Sequence, residues 1–238
     1  MRALGIAILS VLTACSAGNA ETGETVEPRG RGPSRSYDVS GFTGVALRGS
    51  DDVDVRVGPG FSVRAQGPAE ELDRLEIVRD GDALRIGRKR GMGWGRSEGV
   101  KVFVTLPRIA KAAVAGSGDM LVDRVEGDRF EGAVAGSGNL SIQRMDVGAA
   151  KFAVAGSGDL VGAGRARRLD LSVAGSGDID ARQLAAAEAS VALAGSGDVR
   201  ARVDGPVNVN LVGSGDVELT GRPRCTISKR GSGAVRCD

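Results

Sequence analysis

The residues that could carry chemistry in this chain form one regularly spaced series of carboxylates and a single amide. The phrase Gly-Ser-Gly is followed six times by an acidic or amide residue, and a seventh copy at 231–233 is followed by Ala234. The six residues are Asp119, Asn139, Asp159, Asp178, Asp198 and Asp216. Such a series suits acid–base catalysis on a polysaccharide or the binding of a hard cation such as calcium.

Catalysis is the less favoured of these uses, because the acids recur at the same position of every unit. Catalytic carboxylates usually lie at different depths of one cleft. The 238 residues include no histidine, which removes the commonest general base and the commonest transition-metal ligand. We therefore predict a protein that is not an enzyme, and we assign no catalytic residue, metal or cofactor. A cation held along the carboxylates remains an alternative.

The elements that position this series repeat with it. The first glycines of the phrase stand at 116, 136, 156, 175, 195, 213 and 231, a spacing of about 18–20 residues that is typical of stacked units. Apolar residues stand two and four positions before most of these glycines, and polar or small residues alternate with them. This period of two predicts a strand on each side of a glycine corner. An early copy at 49–52 keeps the same register.

Units of this length leave no room for the crossover helices that parallel strands usually need. We therefore predict an all-β fold, a parallel β-helix or solenoid of about 18–20 residues per turn. The repeat turns occupy 108–238, and 58–107 forms a β-rich N-terminal cap within a single domain over 37–238. Glycine lets the corners stack closely, so the phrase is interpreted as architectural, with a ligand-binding row as the alternative.

The stretch 42–47, with Gly49, Ser50 and 52–55, resembles the start of the head GIN domain. This adhesin-like family was earlier a domain of unknown function. The later Ala-Gly-Ser-Gly-Asp series is similar to its repeats, and the resemblance covers 37–238. It implies a right-handed β-helix in a bacterial envelope protein, and it carries over no catalytic motif.

Residues 1–20 have the pattern of an export signal. A positive end precedes an apolar run that is too short to span a membrane. The sequence Leu-Thr-Ala-Cys ending at Cys15 resembles a lipobox, which predicts a lipid anchor on Cys15. Ser16 after the cysteine favours the outer membrane, and 21–36 is predicted to be a flexible linker. The alternative is cleavage near Ala20, which would give a periplasmic or secreted protein.

The other two cysteines, Cys225 and Cys237, stand six residues either side of Gly231. Both positions are inward in the last unit, and an exported chain meets an oxidising compartment. We predict a disulfide that holds the terminal turn, with two buried free thiols as the alternative.

One basic, glycine-rich loop interrupts the strands of the cap. It contains the only tryptophan, and its candidate binding residues are Arg88, Lys89, Arg90, Trp94 and Arg96. Tryptophan and arginine are enriched at binding hot spots. The loop is therefore either a mobile hairpin tip or a contact surface.

Two classes of function remain ahead of the enzyme. One is an adhesin-like interaction module that binds a protein or surface polymer through the repeat face or the Trp94 loop. The other is a purely structural envelope lipoprotein. A net charge of +2 gives no electrostatic reason to expect a nucleic-acid partner. The sequence leaves the oligomeric state open.

The anchor predicts a simple phenotype. Cys15→Ser should move the protein from the membrane fraction to the soluble fraction, because the only lipid attachment point is lost. Fractionation and mass spectrometry of the mature chain measure this. An unmodified wild-type chain that begins at Glu21 would contradict the prediction.

Overall fold

The computed structural model of the protein describes residues 23–89 and 99–238. Cys15 and the loop residues Arg90, Trp94 and Arg96 lie outside these ranges, so the hypotheses on them stay predictions. Among the described residues we find no helix whose length and hydropathy would let it span a bilayer.

Strands account for most of the described chain, and one short helix joins them. The elements are β1 (Glu24–Thr25), β2 (Pro28–Arg29), β3 (Ser34–Tyr37), β4 (Gly44–Gly49), β5 (Asp52–Val57), β6 (Ser62–Gln66), α1 (Ala69–Arg74), β7 (Leu75–Asp80), β8 (Ala83–Arg88), β9 (Lys101–Leu106), β10 (Lys111–Gly116), β11 (Met120–Val122), β12 (Val125–Gly136), β13 (Leu140–Gly156), β14 (Leu160–Gly175), β15 (Ile179–Gly195), β16 (Val199–Val203), β17 (Pro206–Gly213), β18 (Val217–Gly221), β19 (Arg224–Arg230) and β20 (Val235–Cys237).

The strands stack in parallel as coils of a solenoid, as the repeat predicts. Face one, which precedes the glycine corners, runs in the order β8, β4, β10, β12, β13, β14, β15, β17 and β19. Face two, which follows the corners, runs β9, β5, β11, β13, β14, β15, β16, β18 and β20. Strands β13 to β15 take part in both, because each continues through a third face that joins face two to face one. The prediction of an all-β solenoid is confirmed.

The core fills the interior of the coil with aligned aliphatic columns. The column two residues before the corner is buried at every level from β10 to β17, and its members are Val114, Val134, Val154, Val173, Leu193 and Leu211. Alternate residues of the same strands point outward, which gives the period of two. The hydrophobic effect therefore fixes the register, since a slip of one residue would expose the whole column.

One aromatic ring breaks the uniformity of these columns. Phe152 is fully buried, and the neighbouring inward positions are Gly132 and Gly162. A Cβ on Gly132 would lie 3.3 Å from the Phe152 ring, and a Cβ on Gly162 would lie 2.7 Å from it. The ring therefore occupies the volume that aliphatic side chains take at other levels, and the two glycines make room for it.

The cap over 58–107 does more than cover the first end of the coil. The helix α1 leads into the antiparallel hairpin of β7 and β8. Strand β8 then pairs in parallel with β4, and β9 pairs in parallel with β5. The segment thus adds one level to the solenoid beneath the first corner, and β6 and β3 extend β9 as antiparallel strands.

The prediction of a flexible linker over 21–36 is wrong for its described part. Strand β1 pairs with β7, and the Val26 N–H donates to the Ile77 carbonyl at 2.8 Å. Strand β3 pairs with β6, and Arg35 is buried with its guanidinium 2.6 Å from Asp73 Oδ1. The polar sequence did not indicate a strand, because the buried position that packs on the cap is an arginine in an ion pair and not an aliphatic residue.

The disulfide prediction is confirmed. Cys225 of β19 and Cys237 of β20 are bonded, with their Cα atoms 6.7 Å apart. The bridge joins face one to face two across the last coil. In the chain-entropy model a loop of this size contributes about 3 kcal/mol.

The packing of Phe152 predicts strong coupling between two sites. Gly162→Ala should lower the free energy of unfolding by about 1–3 kcal/mol, the usual cost of overpacking. The same change should cost much less in a Phe152→Leu background, because the smaller side chain leaves space for the new methyl group. Chemical denaturation of the two single variants and the double variant measures the coupling.

Gly60→Ala is the matched control, since a Cβ there would meet nothing within 4 Å. It should leave stability nearly unchanged. An equal cost of Gly162→Ala in both backgrounds would show that the ring does not set the glycine requirement.

Candidate binding surface along the glycine corners

At the corner between face one and face two, main-chain atoms of successive levels lie in direct van der Waals contact. Gly116 has a φ of 137°, which side chains disfavour, and a Cβ on it would lie 2.3 Å from the Gly49 carbonyl oxygen. A Cβ on the second glycine, Gly158, would lie 2.0 Å from the Gly138 oxygen. Both positions must therefore be glycine at each stacked level, which supports the architectural interpretation of the phrase.

The carboxylates after the corners form a hydrogen-bonded series that we name the aspartate ladder. The ladder begins with Asp52 of the early unit, which the sequence analysis did not include. In each step a side-chain oxygen accepts the main-chain N–H of the equivalent residue one level further on, at 2.7–3.2 Å. Its members are Asp52, Asp119, Asn139, Asp159, Asp178, Asp198 and Asp216, and the last acceptor serves the Ala234 N–H.

This arrangement accounts for a stack of like charges. Each carboxylate gains a main-chain donor, and hydrogen bonds to a charged group are stronger than neutral ones. Asn139 makes the same main-chain contact and also donates from Nδ2 to Asp119 Oδ1 at 2.9 Å, so the acceptor matters more than the charge. Arg200 lies 2.8 Å from Asp198 and 3.6 Å from Asp178.

Within 23–89 and 99–238, no group of three carboxylate or thiol side chains is arranged to hold a metal ion. The ladder side chains point one oxygen at the next level rather than converging on a common centre. Their geometry is that of stacking.

The lower end of the corner stack has a different residue and a different partner. Asp51 takes the place of the second glycine and is fully buried. Arg88 Nε donates to Asp51 Oδ2 at 2.7 Å, and the guanidinium also contacts Glu71. The hydrogen bond to Asp51 raises the pKa of Arg88.

These contacts alter the candidate loop surface. Arg88 was a candidate binding residue, but its guanidinium is held by the two acids inside the cap, so we exclude it from the contact surface. Lys89 is exposed, and its N–H donates to the Arg74 carbonyl at 2.9 Å. Strand β8 ends at Arg88 and β9 begins at Lys101, and these two strands pair with β4 and β5 on either side of the first corner.

From β10 to β15 the outward side of face one carries no charge next to the corners, whereas Arg48 of β4 and Arg230 of β19 occupy the equivalent position. We name this uncharged part the alanine face. It comprises the residues one and three positions before the first glycine at five successive levels, aligned in register and partly or fully exposed. They are Ala113, Ala115, Ala133, Ala135, Ala153, Ala155, Ser172, Ala174, Ala192 and Ala194.

The remaining faces are charged, and much of their charge is paired within the chain. Arg165 lies 2.5 Å from Asp146 and lowers the pKa of that carboxyl through a hydrogen bond. Arg182 lies 2.5 Å from Asp180 and lowers its pKa in the same way. Such exposed pairs add little stability. They do make faces two and three chemically unlike the alanine face.

The repeat, the early unit and the corner geometry coincide with a known family. A family model described as "Putative auto-transporter adhesin, head GIN domain" matches residues 41–223. The chain belongs to this family. A search of curated proteins found no match.

Several solved structures share this fold. An adhesin from Bacteroides fragilis, named as putative, aligns with a TM-score of 0.81 at 19% identity and covers 86% of this chain and 96% of its own. A "Putative lipid binding protein" from Parabacteroides distasonis aligns at 0.70 with 21% identity, covering 89% and 98%. An adhesin from Parabacteroides merdae, also named as putative, aligns at 0.68 with 16% identity, covering 87% and 96%. At these identities the likeness establishes the fold of this head GIN protein.

The aspartate ladder predicts that the acceptor, not the charge, matters for stability. Asp159→Ala should lower the free energy of unfolding by about 1 kcal/mol, because the Asp178 N–H loses its 2.9 Å partner. Asp159→Asn should stay within about 0.5 kcal/mol of the wild type. Urea denaturation of the three proteins distinguishes the two effects, and equal losses in both variants would contradict the ladder's role.

Proposed function

We propose that this head GIN protein is an envelope-anchored, adhesin-like binding module that uses the alanine face to hold its partner. The observation that carries the proposal is the contrast between faces. The alanine face presents ten small uncharged residues over five levels, whereas the other faces present charges in ion pairs. A flat surface without charge or long side chains is easy to desolvate and costs little side-chain entropy on binding.

The ladder and the serines beside it add a polar margin to this surface. The corner serines are exposed at every level from Ser117 to Ser232, and Ser232 donates to Ser214 at 3.1 Å. Binding interfaces commonly have an apolar centre and a polar, wet rim. A partner that repeats along its length would meet the same contacts at each level, and small contacts add along an extended partner.

Family membership supports an exported or cell-surface location. The finer assignment, a lipid on Cys15 and residence in the outer membrane, is our proposal and rests on the lipobox-like sequence. In that arrangement the N-terminal segment and β1 enter the fold beside the cap, so the cap end lies nearest the membrane. The later coils then extend away from it.

The structural lipoprotein remains the second candidate, and it predicts that no face has a partner. The polysaccharide enzyme has less support, because the ladder oxygens accept main-chain hydrogen bonds of the adjacent level. It would predict turnover that is lost when one particular Asp of the ladder is replaced.

The proposal predicts the effect of one charge on the alanine face. Beads that carry the anchored protein should be retained by native envelopes prepared from cells that make this chain, and envelopes from cells that lack it show whether a different component is also a partner. Ala155→Glu should reduce retention, because it places a charge in the centre of the proposed contact. The readout is the amount of bound bead and the identity of the captured component.

Val161→Glu is the matched control, since Val161 is 44% exposed on face two and outside the proposed contact. It should leave retention unchanged. A double change of Trp94 and Arg96 to Ala tests the loop as the other contact. Equal retention of wild type, Ala155→Glu and Val161→Glu would overturn the alanine face as the binding surface.

A further inference from the structure

We propose that the occupant of the alanine face is a second copy of this chain, bound face to face with the two solenoid axes antiparallel. This inference rests on the proposed function, because it names the partner of the same surface. Its support comes from the charges that border the face and from the area that the face offers.

A row of charged residues borders the alanine face on the side away from the corners. In register along face one it reads Lys111, Glu131, Lys151 and Asp170, followed by uncharged Ser190. The signs alternate. Lys151 Nζ lies 3.7 Å from Glu131 Oε1, so the two central charges are paired within the chain. Among the described residues, Lys111 and Asp170 have no ion-pair partner.

A two-fold axis makes this row complementary to itself. If the axis lies parallel to the strands, between the levels of Glu131 and Lys151, every level of one copy faces a level of the other in reverse order. Lys111 then faces the second copy's Asp170, and Glu131 faces its Lys151. Each of these two outer charges, which lacks a partner within its own chain, then lies opposite a charge of the other sign in the second copy. The two-fold symmetry makes this contact twice. Moving the axis by half a level would instead oppose like charges, either Lys111 with Lys151 or Glu131 with Asp170.

The size of the face is sufficient for a specific dimer. Six levels from β4 to β15, at about 4.8 Å each, and strands of about 20 Å give roughly 600 Å² per partner. The total of about 1,200 Å² reaches the lower range of stable protein–protein interfaces. Small side chains at the ten positions of the alanine face let the two sheets approach closely over five levels, and Arg48 of the β4 level lies at the edge of the contact, opposite Ala194 of the second copy.

The antiparallel order has a consequence for anchoring. Strand β1 lies against β7 at the cap end of the solenoid. In the pair, the two N-terminal segments therefore emerge at opposite ends. That geometry suits molecules held on two facing surfaces better than neighbours on one surface, and it makes the pair a homophilic adhesive contact.

The test measures association of the full chain carrying Cys15→Ser, which keeps it free of lipid. Sedimentation equilibrium over a concentration series should show a monomer–dimer equilibrium. Ala155→Glu should weaken dimerisation at least tenfold, since residue 155 faces Ala135 of the second copy near the axis. Val161→Glu should not change it. Thermal denaturation confirms that both variants are folded.

Charge reversal tests the register. Lys111→Asp and Asp170→Lys should each weaken the dimer, and the double variant should restore it because the row stays self-complementary. A carbodiimide, which joins an amine directly to a carboxylate, should link Lys111 to Asp170 in the wild type. Within one chain these residues are three levels, or about 14 Å, apart, so the link must form between copies.

A wild type that stays monomeric at all concentrations would overturn the proposal, as would a dimer indifferent to Ala155→Glu. Single charge reversals without effect would overturn the antiparallel register. These outcomes are separate from the bead experiment. If Ala155→Glu abolishes retention on envelopes that lack this chain while the protein remains monomeric, the binding function stands and only self-pairing fails.

Discussion

The short distance between successive corners determines the spacing and the register of the rest of the molecule. Carbonyl oxygens of one level lie where a Cβ of the next would be, so the main chains touch directly at both glycines. This contact holds the levels at the spacing that strand hydrogen bonds need. It also aligns each residue with its counterparts, which is why one aliphatic column can form the core and one acceptor column can serve the main chain.

Because the levels are in register, the residue type that recurs at one position of the repeat determines the chemistry of a whole surface. The outward alternation of face one gives a surface of alanine, and the positions after the corner give a continuous series of acceptors. Faces two and three collect the arginines and acids, which pair across levels or along a strand. The solenoid therefore separates a surface that can be desolvated from surfaces that stay hydrated.

The sequence predicts the regular part of this structure well, because glycine corners and a period of two are local signals. The strands on both sides of Gly116 and the pairing of Cys225 with Cys237 follow from counting positions. The parallel stacking of β8 and β9 beneath β4 and β5 could not be predicted, since they belong to an insertion whose ends are far apart in sequence. The burial of Arg35 and the ion pair of Asp51 with Arg88 could not be predicted either, because they depend on tertiary contacts and polar residues are usually exposed. In the sequence the alanine face corresponds to a small residue before five successive corners, but only alignment of the levels shows it to be continuous.

The two ends of the corner stack differ from its interior, and this difference bears on how such proteins change in length. Asp51 closes the lower end, because its side chain occupies the space that another corner would need. Ala234 closes the upper end of the aspartate ladder, because it donates to Asp216 and offers no side-chain acceptor in return. Every level between them presents the same donors below and acceptors above. Duplication or loss of a whole unit in the gene would thus leave the corner and ladder contacts of the remaining levels intact, so that recombination between repeats could lengthen or shorten the coil while both ends stay unchanged.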